Sequence, residues 1–303
     1  MAAHNHPHSQ VFRPANLQEL FSLLNRFPGA TAYAGGTKLM RSGSESSGWQ
    51  GVYRELPELP KEILSLERIE ELRGITRTER YLEIGAMVRL NEILALGKIV
   101  PSALSQTIQG IAGPMVRNMA TIGGNIFSAG DTTAALCALD AACELRGAGG
   151  SRWVSAIRFS TVPEICQKGE LLTRIRVPLE DWNYTLYRKF SKADSGNEGG
   201  VLILVAINKK NLLANINVVF SGRKLLRDKD SEFSLEGKAL PLDKRDAAHY
   251  RKLWEAYLEE LERQEGELHN NTEGSPARLA APGPLLKDKI LNAIETGIMG
   301  LSD

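Results

Sequence analysis

The chain has little cysteine, no long apolar run and almost no net charge, and each shortage removes a class of protein. Its 303 residues hold only three cysteines. Cys137, Cys143 and Cys166 are spaced too widely for the paired thiolates of a zinc or iron–sulfur site. An odd count makes no disulfide framework, so they read as reduced, buried thiols in a cytoplasmic protein. No stretch reaches the about 18 apolar residues of a membrane span. The polar start MAAHNHPHSQ lacks the apolar core of a signal peptide, and His4, His6 and His8 read as part of a flexible tail over residues 1–9. Lysine and arginine total 37 against 36 aspartate and glutamate, a net charge of +1, so no basic face for nucleic acid is expected. Glycine and proline, 28 and 13, show no fibrous period. Apolar and charged fractions of 43% and 24% are those of a globular protein with enough length for two or three domains.

What remains is patterned as mixed α and β. Asn16 to Glu19 reads as a capping box, and Leu17, Leu20, Phe21, Leu24 and Phe27 then recur at helical spacing until Pro28-Gly29. Strands are expected at Thr31–Ala34, Ile63–Leu66, Tyr81–Ala86 and Leu171–Val177, with helices from Leu90 and over Ser102–Ile111. Residues 41–60 read as an exposed loop, and Arg223 to Lys229 as a solvated one. Past Asp181–Asn183 the pattern changes to three strands, Thr185–Phe190, Val201–Ile207 and Leu212–Phe220. The last two are joined by the hairpin Asn208–Asn211. A long amphipathic helix through Tyr250, Trp254, Tyr257, Leu258 and Leu261 follows. A linker over 270–284 then leads to a closing helix with Leu286, Ile290, Ile294 and Ile298.

Two glycine segments far apart in sequence carry the chemistry. Ala34-Gly35-Gly36-Thr37 ends a strand, and Thr121-Ile122-Gly123-Gly124-Asn125 lies in the middle of the chain. Glycine pairs permit positive φ and close approach, and consecutive backbone amides form a nest for phosphate oxygens. Thr37 and Thr121 add hydroxyls, Asn125 adds a side-chain amide, and Asp131 reads as the N-cap of a helix carrying Ala134, Ala135, Leu136 and Leu139. Either segment alone is more often a tight turn. No G-x-G-x-x-G and no Walker A sequence is present, so the residues themselves lead only to a diphosphate-binding candidate made from two loops.

The run Met115-Val116-Arg117-Asn118-Met119-Ala120-Thr121-Ile122-Gly123-Gly124-Asn125-Ile126, taken with Ala34–Thr37, resembles the FAD-binding subunit of the molybdenum hydroxylases. That family includes xanthine dehydrogenase and aerobic carbon monoxide dehydrogenase. Asp131-Thr132 through Leu139-Asp140-Ala141, Leu82–Ala86 and Glu170–Thr173 fit the same pattern, as more weakly do Asp243–Arg245 and Tyr250-Arg251. The resemblance implies an α+β fold of the vanillyl-alcohol-oxidase (PCMH) type. An FAD-binding domain would cover 10–182, in subdomains of about 10–64 and 65–182, and a domain with antiparallel sheet and helices would cover 183–303. It further implies that Gly35, Gly36 and Thr37, flanked by Ala34, Lys38 and Leu39, hold the FAD pyrophosphate together with Thr121, Gly123 and Gly124. Asn125 and Asp131 would meet the ribityl or adenosine end, and Leu171 or Leu172 a ring. Lys189 would lie near the flavin pyrimidine, where a cation favours the reduced cofactor.

By the same resemblance the chain is an oxidoreductase subunit and carries no acid–base group for substrate. Electrons would pass from a molybdopterin-binding large subunit through an iron–sulfur small subunit to FAD, and on to NAD or another acceptor. The assembly would be a dimer of heterotrimers, with no nucleic acid and no membrane. Three departures stand out. Lys38 stands where many members have aspartate, the stretch from Asn125 to Asp131 is shortened, and Ala193–Gly196 occupies a place where arginines are expected. They motivate a second reading, an assembly subunit that has lost flavin chemistry. A stand-alone flavoenzyme, such as a peptidoglycan-precursor reductase, fits the segment Thr185–Phe220 less well.

Overall fold

Asn16 keeps an extended backbone while its side chain accepts the Glu19 amide at 2.9 Å, and helix α1 (Leu17–Arg26) starts there. The Glu19 carboxylate reaches back to the amide of Ala15 at 2.7 Å, not to that of Asn16, so the expected capping box closes one residue early. The computed structural model describes residues 9–39, 59–161, 165–167, 169–192, 196–222, 225–240, 242–270 and 284–299. The expected tail, apart from Ser9, the expected loop from 41 to 58 and most of the expected linker lie outside these residues. Strand β1 (Gln10–Phe12) precedes α1, and β2 (Thr31–Tyr33) and β3 (Glu62–Ser65) follow it, making a parallel sheet ordered β1-β3-β2.

A second, five-stranded antiparallel sheet takes β4 (Ile75–Arg77), β5 (Tyr81–Gly85), β6 (Ala142–Gly147), β7 (Gly150–Ser155) and β8 (Leu171–Pro178) in the order β4-β5-β8-β6-β7. Between β5 and β6 the chain forms five short helices: α2 (Leu90–Ala95), α3 (Ser102–Gln109), α4 (Pro114–Arg117), α5 (Ile122–Phe127) and α6 (Thr132–Ala138). Leu82, Ile84, Cys143, Leu145, Ile175 and Val177 alternate onto the face that these helices cover. The other face is polar and aromatic. Glu83 pairs with Arg176 at 2.7 Å, Glu144 with Arg174 at 2.9 Å, and the Arg176 guanidinium lies 4.2 Å over the Trp153 ring.

The third sheet is antiparallel, ordered β12-β11-β10-β9, from β9 (Tyr184–Lys192), β10 (Gly196–Ile207), β11 (Leu213–Ser221) and β12 (Leu225–Leu226). Asn208 makes the expected hairpin by accepting the amides of Lys210 and Leu212, and Asn211 takes φ of 59°. Helices α7 (Lys229–Leu235), α8 (Lys244–Asn270) and α9 (Pro284–Met299) complete the chain. The apolar run in β10 is explained by burial on both faces. Val201, Ile203 and Val205 join a core with Trp254, Leu258, Ile290 and Ile294, while Leu202 and Leu204 join the core beneath the second sheet. The segment expected as a solvated loop is not one: the Arg227 side chain is 3% exposed, and Lys229 opens α7. Arg223 and Lys224 lie outside the described residues. The whole is the α+β arrangement expected.

Candidate functional site

The first glycine loop leaves β2 and packs directly on the second. A Cβ on Gly35 would lie 2.0 Å from the Met119 carbonyl oxygen, so only glycine lets these two backbones touch. Gly36 has φ of 68°, and a Cβ there would meet the Tyr33 hydroxyl. The amides of Gly35, Gly36 and Thr37 donate to nothing among the described residues. Thr37 and Leu39 are half-buried beside them, and Lys38 is exposed.

The second loop differs from its expected form. Thr121 caps α5 by accepting the Gly124 amide at 3.1 Å, and Asn125 donates to the Thr121 carbonyl at 2.9 Å. The amides of Ile122 and Gly123 donate to Val88 at 3.0 Å and Ala86 at 2.9 Å. The expected row of open amides at Gly123-Gly124 is therefore consumed by the cap and by pairing with the segment after β5. What these glycines provide is room. A Cβ on Gly123 would stand 2.8 Å from the Ala86 oxygen, and one on Gly124 would come within 3.8 Å of Ala34.

Asn125 has a bonded side-chain oxygen. Its Oδ1 accepts the Thr132 amide at 3.1 Å and the Thr132 hydroxyl at 2.6 Å, which closes the short 126–130 loop onto α6. Asp131 does not cap α6 as expected. Its backbone is already helical and its side chain makes no cap bond. Instead its Oδ2 accepts the Lys189 ammonium at 2.6 Å, and Lys189 also donates to the Gly110 carbonyl at 3.2 Å. Burial, with the negative Asp131 adding to it, pushes the Tyr187 hydroxyl far above its ordinary range, so Tyr187 stays neutral. Its ring is wedged between Gly110 and Gly200, each of whose Cβ atoms would fall 3.0 Å from it.

Leu171 and Leu172 are both buried and face different cores. Leu171 shares an apolar cluster with Leu17, Leu20 and Ala34, and Leu172 lies under the second sheet. Arg117 was given no role by the sequence, yet it shapes the approach to the site. Its guanidinium donates to the carbonyls of Ile111 and Ala112 at 2.9 Å and Gln109 at 3.2 Å, fixing the turn that also carries Gly110. The Arg-Asn pair in the quoted run was the available signal, because the Asn118 side chain binds Asn91 next to it.

The donor set suits a pyrophosphate. Three neighbouring amides stay open where Gly35 and Gly36 bring the chain against Met119 and Tyr33, with the Thr37 hydroxyl at hand. Among the described residues no cluster of His, Cys, Asp or Glu could hold a metal ion, and no helix is long and apolar enough to cross a membrane. An α+β fold in which two glycine segments meet beside three open amides defines a candidate diphosphate-binding protein without a Rossmann fingerprint.

The family described as FAD binding domain in molybdopterin dehydrogenase matches residues 7–180. The chain belongs to that family, and is thereby the flavoprotein component of an oxidoreductase, with FAD as its cofactor. It is 34% identical over 192 residues to the glyceraldehyde dehydrogenase medium chain of Sulfolobus acidocaldarius, covering 60% of this chain and 68% of that one. The nicotinate dehydrogenase FAD-subunit of Eubacterium barkeri is 26% identical over 78% of this chain and 83% of its own length. Other relatives are matched over less: 44% of the carbon monoxide dehydrogenase medium chain of Hydrogenophaga pseudoflava, and 13% of aldehyde oxidase 2 of Cavia porcellus. A solved chain of Cu,Mo-CO dehydrogenase superimposes over 97% of both chains with a TM-score of 0.74 at 22% identity. One of quinoline 2-oxidoreductase from Pseudomonas putida 86 does so over 98% of both chains at 0.73 and 20%. The last two show that the fold is shared.

Proposed function

We propose that this chain is the electron-relay FAD subunit of a multi-subunit molybdenum hydroxylase. Its partners would be a molybdopterin-binding large subunit and an iron–sulfur small subunit, in a dimer of heterotrimers in the cytoplasm. One observation carries the proposal: Gly35 packs on Met119 while the amides of Gly35, Gly36 and Thr37 stay open. The chemistry that FAD supplies when bound is electron exchange between the partner's clusters and NAD or another acceptor.

The chain's own residues bind and orient. Gly35, Gly36 and Thr37 would hold the pyrophosphate, with Ala34, Lys38 and Leu39 at the rim. Thr121, Gly123 and Gly124 would give the close approach, Asn125 and Asp131 the ribityl or adenosine end, and Leu171 or Leu172 an apolar wall. Lys189, paired with Asp131 at 2.6 Å, would stand beside the cofactor's ring. We also keep the division into units at about residues 64 and 182, which the three separate sheets support.

The test is a visible absorbance spectrum of the purified chain, before and after NADH is added without oxygen. A flavin spectrum that bleaches is expected. Flavin that persists would point to an acceptor other than NAD, and a colourless chain that also refuses added FAD would overturn the proposal. The alternative of an assembly subunit without flavin chemistry is favoured by one observation, the 2.6 Å pairing of Lys189 with Asp131, which offsets the charge Lys189 would offer. In the same experiment a flavin that NADH bleaches overturns this alternative, and a chain that binds no FAD favours it.

A further inference from the structure

We infer that Arg227 and Asn217 are positioning residues for the FAD cradle, acting through helix α6 from outside the site; the inference rests on the FAD-binding reading above. Seven residues long and buried at every position, α6 cannot hold its place by helix propensity alone. Both of its ends are fastened by the third sheet. At the C-terminal end, Arg227 donates to the Cys137 carbonyl at 2.8 Å, and Asn217 of β11 donates to the Ala138 carbonyl at 2.5 Å. Among the described residues the Ala138 carbonyl takes no backbone amide, the Cys137 carbonyl takes that of Asp140 at 3.1 Å, and a cation is favoured beside such a helix end. Arg227 also holds Asp140 at 2.8 Å, just past the helix, where the chain turns with φ of 50°. Glu232 accepts the remaining Arg227 donor at 3.0 Å and the Val218 amide at 2.8 Å, so the buried guanidinium is anchored to its own sheet.

At the N-terminal end, Lys189 of β9 holds Asp131, and the Thr132 amide and hydroxyl hold Asn125. Asn125 ends the second glycine loop, and Met119, just before that loop, leaves no room for a side chain at Gly35 of the first. A line of direct contacts thus runs from Arg227 and Asn217 along α6 to Asn125 and then to the two loops. Neither Arg227 nor Asn217 bonds a residue of either loop. With the C-terminal anchor gone, α6 is free to slide or fray, and Asn125 moves with it.

Three full-length variants test this, each titrated as apoprotein with FAD by quenching of flavin fluorescence, well below the melting temperature. Asn217→Ala removes one anchor. Arg227→Gln combined with Glu232→Gln removes the other without stranding a buried charge. Lys238→Ala, which breaks an exposed pair with Asp246, is the control. The first two are expected to weaken FAD binding by about tenfold or more, with a blurred visible flavin band, while the control matches wild type. A fold-supporting role alone would lower the melting temperature and leave the affinity of the folded protein unchanged; that result overturns the inference. If the double variant does not fold, Asn217→Ala decides. A wild-type chain that binds no FAD overturns the parent reading and this one with it, whereas wild-type binding with unaffected variants overturns this one alone.

Discussion

At the scale of single residues, a methyl group is the sharpest probe of the cradle. Gly35→Ala would put a carbon 2.0 Å from a backbone oxygen that has no side-chain freedom with which to yield. The two loops must part, at a cost of about 1–3 kcal/mol typical of overpacking. FAD affinity is expected to fall by about tenfold or more, because the open amides move with the loop. Gly124→Ala meets the Thr121 hydroxyl at 3.0 Å and Ala34 at an ordinary 3.8 Å, and should be the milder change. Fluorescence titration of both variants checks the ranking, and a Gly124→Ala defect larger than that of Gly35→Ala would show that the contact between the loops is not what shapes the cradle. The cysteines give a second residue-scale prediction. Burial pushes Cys137 and Cys143 up to about 12, so neither forms thiolate near neutral pH. A thiol reagent should leave both unlabelled in the native chain and label both after denaturation.

Elements of structure are where charge and periodicity meet. On the open face of the second sheet, hydrogen bonds from Arg174 hold the Glu144 carboxyl down to about 2, helped by the Thr173 hydroxyl and opposed by burial. Since the folded value lies below the ordinary 4.5, the pair stabilises the fold above pH 4.5 and that contribution fades as pH falls toward 2. Denaturant midpoints measured across this window should fall more steeply for wild type than for Glu144→Gln. Equal slopes would mean that the pair contributes nothing.

The same elements show what the sequence could reveal. Period-two and helical spacing located β5, β8, β9, β10 and α1 to within a few residues, because each has an apolar face that must be buried. No strand is expected where β6 and β7 form. Their Cys143, Leu145 and Val154 do alternate inward, but Glu144, Arg146, Arg152 and Trp153 dominate the composition. In the site, local sequence located both glycine loops. It could not reveal that Gly123 spends its amide on Ala86, or that Arg227 is buried by an Asp140 far back in the chain. Those facts belong to tertiary contacts, which no local window contains.

For the whole molecule, the decisive feature is that β10 belongs to two cores at once. Leu202 and Leu204 share a core with α3 and α6 under the second sheet, and Val201, Ile203 and Val205 share another with α8 and α9. Add Lys189 on Asp131 and Arg227 on Asp140, and the third sheet shares both its apolar face and its buried charges with the glycine-loop side of the chain. Such sharing makes separate unfolding of the two parts costly, because either part left alone would expose a core face and unpaired ionic groups. The FAD-loaded chain is therefore expected to melt in one transition, with release of flavin fluorescence coinciding with loss of the far-ultraviolet signal of α8 and α9. FAD at a hundred times its dissociation constant should raise the midpoint by about 5 °C, as ligand binding to the folded state alone requires. Flavin released well before the helices melt would mean that the cradle opens while the third sheet stays folded, and the coupling between them is weak.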